Sequence, residues 1–186
     1  PKSIARVANI AHKKYGVSVM HCQSFKQLKA YIPRVFELLN NEYAHLYGVS
    51  KLSENHVAYY IQMLKDVVVP EYLPLAINKE GQVIGFGLFL PSLISALKKI
   101  EGRLFPFGFI RLLHARNTHS EVELGLIAVD REYQKKGVVG AIMAHSLNQL
   151  RAKGVTAVET NPELESNKDV QGLWKYVNPI LHKRRR

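Results

Sequence analysis

Apolar residues recur along this chain in two rhythms, and the changes from one to the other divide it into elements. Ile4, Val7, Ala8 and Ala11 share one helical face within residues 3–15, and Gly16 ends the run. Residues 17–21 read as a first strand. Leu28, Tyr31, Ile32, Val35, Phe36 and Leu39 then recur at about 3.6 residues, in one or two helices that Pro33 kinks or divides. Ser53 and Glu54 open a further helix with Val57, Tyr60, Ile61 and Leu64 on its apolar face, expected to end before Pro70.

Residues 72–78 and 83–90 are apolar runs joined across Lys79, Glu80, Gly81 and Gln82, which predicts an antiparallel hairpin. A helix is expected from Pro91 to about Ile100. Beyond it, Phe105, Phe107, Phe109 and Ile110 stand between Arg103 and Arg111; they are either core or interface aromatics, or the cover of an acceptor pocket whose arginines hold an anionic group. Val122, Leu124, Leu126, Ile127 and Val129 form a fourth strand, which Asp130, Arg131 and Glu132 break. A helix begins near Gly137 and runs to about Ala152, closed by Gly154. Residues 155–160 make a fifth strand, and Asn167 or Lys168 starts a last helix that carries Val170, Leu173, Trp174 and Val177. Strands interleaved with helices predict an α/β layer protein.

The passage from the fourth strand into the glycine-opened helix carries the candidate chemistry. Amides of a first helical turn lack internal partners and sit at the positive end of the helix dipole, so backbone alone can hold a pyrophosphate there. Lys135 and Lys136 add charge just before that turn. A phosphorylated cofactor is the expected guest. No Gly-Lys-Ser/Thr follows, and the dinucleotide fingerprint is absent.

Gln134, Lys135, Lys136 and Gly137 resemble the Gln/Arg-x-x-Gly-x-Gly/Ala signature of the GCN5-related N-acetyltransferase superfamily, placed as there after the fourth strand. The blocks at residues 36–47, 102–109, 159–165 and 182–186 extend the resemblance to the C-terminal half of large, mostly bacterial proteins with two such domains in tandem. The resemblance implies an α/β (α+β) fold with a mixed, mostly antiparallel sheet whose fourth and fifth strands splay. It also implies acetyl-CoA as cosubstrate and an amine of unknown identity as acceptor. The pantetheine arm would pair with Ile127, Ala128 and Val129, and the pyrophosphate would meet Gln134, Lys135, Lys136, Gly137, Val138, Val139 and Gly140. Val139 departs from the usual Gly or Ala and narrows the space; Gly140 is the neighbour expected to compensate. Asn161 and Asn167 either assist the cofactor through their amides, or respectively set a turn and cap a helix.

An amine needs a base before it can attack a thioester, because an ammonium has no free lone pair. Glu123, eleven residues before Gln134, stands where the histone-acetyltransferase branch places that base; Glu121 shares its strand face. The alternative is a strand glutamate paired with a cation. The amide of Ala128 or Val129 is the expected oxyanion donor. For protonating the leaving thiolate, the family's tyrosine position holds Trp174, and Tyr176 lies about 200° round that helix. Tyr133, unassisted departure, or binding without turnover are the other readings.

One chain of 186 residues suits one domain that buries about 70% of its unfolded surface. The single Cys22 excludes a disulfide framework and suits a reducing cytoplasm, and no apolar run is long enough for a membrane span. Eight histidines without paired ligand spacing predict no metal. Residues 1–16 read as a lead-in helix or linker from an upstream domain, and 17–186 as the acetyltransferase-like domain short of its last strand. The net charge of +11 attracts polyanions. Nucleic-acid binding is the weaker consequence, since the cations neither gather on one helix nor interleave with aromatics.

Overall fold

The computed structural model describes residues 2–46, 48–65, 68–100, 114–115, 120–161, 171–172, 174 and 179–181. Their elements are α1 (Lys2–Tyr15), β1 (Ser18–Met20), α2 (Phe25–Lys29), α3 (Ile32–Tyr43), α4 (Glu54–Leu64), β2 (Leu75–Ile77), β3 (Val83–Pro91), α5 (Ile94–Lys99), β4 (Glu121–Val129), α6 (Val138–Ala152) and β5 (Ala157–Thr160).

Local chemistry sets most of these boundaries. Gly16, at φ +67°, turns the chain out of α1. Ser24 caps α2 by accepting from the Gln27 amide, Pro33 occupies the first turn of α3, and Ser53 and His56 cap α4 reciprocally. The second strand is shorter than expected because Pro70–Tyr72 winds into a one-turn 3-10 helix that takes Tyr72 out of the ladder. The fifth starts late for a similar reason: Val155 still bonds back to Leu150, as part of the turn that leaves α6.

The strands lie in the order β1-β2-β3-β4-β5, with β1 to β4 antiparallel and β5 parallel to β4. Alternation sends successive side chains to opposite faces. Leu75 and Ala128 join Leu28, Leu38, Phe86 and Leu88 beneath α2 and α3. Ala76 and Val129 join Ile84, Val138 and Ile142 beneath α6, where Ala11 of α1 also packs. The expected architecture, a mixed and mostly antiparallel sheet between helices, is the one found.

Candidate functional site

Among the described residues, β5 pairs with β4 from Glu121 to Leu124, and β5 ends at Thr160 opposite Leu124. Asn161 follows at the end of β5. Its backbone N–H donates to the Leu124 carbonyl at 3.4 Å and its Nδ2 to the Gly125 carbonyl at 3.2 Å. Two successive carbonyls aimed the same way mark a bulge, matched on the other side by the register shift at Leu88/Phe89. Beyond it, β4 has a strand neighbour only in β3 among the described residues. The Asp130 amide donates to Ile84 at 2.8 Å, so by two-residue alternation Ala128 also directs its backbone groups toward β3, and Ile127 and Val129 direct theirs outward. Of the two expected oxyanion donors, only Val129 therefore has an outward amide.

The turn after β4 is firmly held. Arg34 of α3 donates to the Asp130 carboxylate at 2.6 Å and to the Val83 carbonyl at 3.1 Å, while Asp130 accepts the Glu132 amide at 3.1 Å. The chain then passes through positive φ at Lys135 (+60°) and Gly137 (+81°). Gly137 is the N-cap of α6 and offers no side chain to cap it; the helical ladder begins with the Ala141 amide on the Gly137 carbonyl. The amides of Val138, Val139 and Gly140 thus have no partner within the helix.

These pieces line one cleft of about 700 Å³. Its walls are the outward edge of β4, the turn and first part of α6 as far as Met143, the inner side of α1 from Ile4 to Tyr15, the end of α3 and the turn after it from Glu42 to Leu46, and Trp174. Among the described residues, Lys14, Arg131, Lys135 and Lys136 bring four cations to it and Glu42 one carboxylate, which accepts from Gln134 Nε2 at 2.8 Å. The Tyr15 ring has Lys14 Nζ 5.4 Å and Lys136 Nζ 5.6 Å from its centre, and Lys136 also lies 4.8 Å from the centre of Tyr133. Free amides, lysines and an open strand edge are a donor set that suits a phosphorylated ligand with an extended arm.

The cleft brings together Ile127, Ala128, Val129, Gln134, Lys135, Lys136, Gly137, Val138, Val139 and Gly140. The Gln134 side chain faces inward to the protein: besides Glu42 it bonds the Val129 carbonyl at 3.3 Å. The space beside Gly140 belongs to α1, since a Cβ there would lie 2.6 Å from Val7 Cγ1, and so it does not compensate for Val139. Gly137 has the same neighbour, with Val7 at 3.1 Å and Ala11 at 3.4 Å from a Cβ built on it. Glu123 and Asn161 are not among the lining residues. Half-buried Glu123 accepts from Ser92 Oγ at 3.1 Å, and Glu121 is exposed. Asn167, Tyr176, Phe105, Phe107, Phe109, Arg103 and Arg111 lie outside the described residues. Glu42, Tyr43, His45, Leu46, Met143 and the α1 side chains are lining residues that sequence reasoning missed; the first four fall in the block at 36–47 that carries part of the resemblance, but no spacing rule points from α3 to the edge of β4. Among the described residues, no group of three or more His, Cys, Asp or Glu side chains could hold a metal ion, and no helix is long and apolar enough to cross a membrane.

Residues 32–177 match the sequence model of the acetyltransferase (GNAT) family, and the chain belongs to that family. It is 22% identical over 190 aligned positions to protein YghO of Escherichia coli K12, covering 99% of this chain and 48% of YghO, so it spans about half of that relative's length. Its fold is similar to that of a possible acetyltransferase from Clostridium difficile 630, with TM-score 0.61, 10% identity and coverage of 91% and 94%. It is similar also to a GNAT family acetyltransferase from Brucella melitensis solved in complex with acetyl-CoA, with TM-score 0.52, 15% identity and coverage of 83% and 80%. An aminoglycoside acetyltransferase from an uncultured soil metagenomic sample, in complex with sisomicin, shares the fold at TM-score 0.57, 10% identity and coverage of 91% and 95%.

Proposed function

We propose that this chain is an N-acyltransferase domain that takes an acetyl group from acetyl-CoA and gives it to an amine. The observation that carries the reading is the cleft itself, in which an outward β4 edge runs into uncapped helix amides amid four cations. Bound coenzyme A would supply the acyl group as a thioester. The β4 edge at Ile127 and Val129 would hold its amide arm, and Lys135, Lys136 and the amides of Val138 to Gly140 its phosphates. The Val129 amide would donate to the reacting carbonyl. Glu123 is the proposed base, acting directly or through water, with the Ser92 hydroxyl orienting its carboxylate. Tyr176 is the proposed acid; Trp174, which lines the cleft, has an indole that cannot serve. The buried, unpaired Cys22 suits a reducing compartment, and we take the protein to act in the cytoplasm. The half-length match to YghO supports one domain of a longer, tandem protein.

A second reading, binding without turnover, is favoured by Val139 and Trp174 in the cleft and by Glu123 outside its lining. Calorimetry with acetyl-CoA tests both against the alternative of no site: saturable binding is expected, and its absence would remove the acyl-donor assignment. An amine screen on the binding protein then separates the two, because turnover with any acceptor sinks the second reading.

A further inference from the structure

Tyr43 is the last residue of α3, and its side chain leaves the helix for the outward edge of β4. The hydroxyl donates to the Ile127 carbonyl at 2.9 Å and accepts from the Ile127 amide at 3.2 Å. One donor and one acceptor, given to one residue on an open edge, are what a neighbouring strand would provide. Burial holds the phenol above its ordinary pKa, with the bond to Ile127 working against that, so the hydroxyl keeps its proton at neutral pH. The helix does not depend on these bonds for its seat, since Ile32, Val35 and Leu38 already bury its inner face.

We propose that Tyr43 is a placeholder that sets donor specificity: its hydroxyl satisfies Ile127 until the amide arm of acyl-CoA takes over both bonds. This rests on the acyltransferase reading above. Any ligand that covers the edge must leave the Ile127 N–H and C=O paired, because a buried polar group left unmatched costs more than a bond returns on balance. Each of coenzyme A's two secondary amides carries a donor and an acceptor and can replace a hydroxyl that does both. An acyl phosphate offers acceptors alone at its acyl end and would leave the Ile127 carbonyl without a donor. Tyr43 therefore favours donors with a peptide-like arm, and lowers affinity for all of them by the bonds that must first be given up.

The test is calorimetry of the wild type and Tyr43→Phe with coenzyme A and with adenosine 3′,5′-bisphosphate, which carries phosphates but no amide. Removing the competing hydroxyl is expected to tighten coenzyme A about fivefold, the scale of one or two net hydrogen bonds, and to leave the bisphosphate within about twofold. Equal or weaker coenzyme A binding by the variant, with wild-type binding intact, would overturn the placeholder role and leave the acyltransferase reading standing. A parallel change for both ligands would likewise overturn it, as an effect on the fold. Binding of coenzyme A by neither protein would sink both readings. A second readout keeps the phenol: 3-fluorotyrosine placed at position 43 should shift its fluorine resonance with coenzyme A and not with the bisphosphate, and a resonance that ignores coenzyme A would also count against the role.

Discussion

His145 of α6 lies with its Nε2 3.1 Å from Nδ1 of His21 at the end of β1, a contact between two titratable rings across a helix and a sheet edge. Burial first, and the charge of His21 second, lower the His145 pKa below its ordinary value. Folding therefore favours the neutral imidazole, and the unfolded chain binds that proton more readily. The stability involved is fully present above the unfolded value of about 6.5 and is lost as pH falls through the folded one. Urea midpoints should decline from pH 8 to pH 5, and His145→Gln should flatten that decline; an unchanged slope in the variant would deny the histidine its role. Asn78 carries a larger load with no titration. It is buried, its Oδ1 accepts from the Glu80 and Gln82 amides, and its Nδ2 donates to Gln82 and to the Tyr133 hydroxyl at 3.3 Å. Asn78→Ala should cost about 1–3 kcal/mol in urea unfolding, while Asn78→Asp, which keeps both backbone bonds, should lose less.

Helix α1 precedes the segment that matches the family, yet it forms a wall of the cleft and lies against the opening turn of α6. Gly140 was legible in the sequence as the neighbour expected to compensate for Val139; the approach it permits is that of Val7. Such a contact joins residues far apart in the chain and leaves no local periodicity to read. The order of β4, the turn and α6 was legible, since runs of apolar residues and the turn at Asp130 to Gly137 are local signals, whereas a splay of β4 from β5 was implied by the resemblance alone. The role of Tyr43 did not, because a tyrosine on an apolar helix face reads as core wherever its hydroxyl ends. The packing account makes its own prediction. Gly140→Ala should destabilise the domain by about 1–3 kcal/mol, as overpacking does, and Val7→Ala added to it should recover much of that loss. A double-mutant cycle in urea measures the coupling. If Gly140→Ala is neutral in stability, close packing against α1 is not why glycine stands there.

At the scale of the whole molecule, the question is whether the charge of +11 or its local arrangement draws a phosphorylated ligand. A general field acts over roughly a Debye length, about 8 Å at physiological salt, and the contribution of every exposed lysine to it falls off with distance. The cleft makes a sharper claim. Lys14, Lys135 and Lys136 line it, and none forms an ion pair among the described residues, whereas Lys26 and Lys29 are exposed on α2 and do not line it. If arrangement decides, Lys14→Ala and Lys136→Ala should each weaken coenzyme A about two- to fivefold, the worth of a partly screened contact of under about 1 kcal/mol. Each should also lessen the loss of affinity seen between low and high salt. Lys26→Ala and Lys29→Ala should change neither quantity. Equal losses from all four substitutions would mean that net charge alone attracts the ligand, and the phosphate site would then have to be sought in the backbone amides of Val138, Val139 and Gly140 without help from α1.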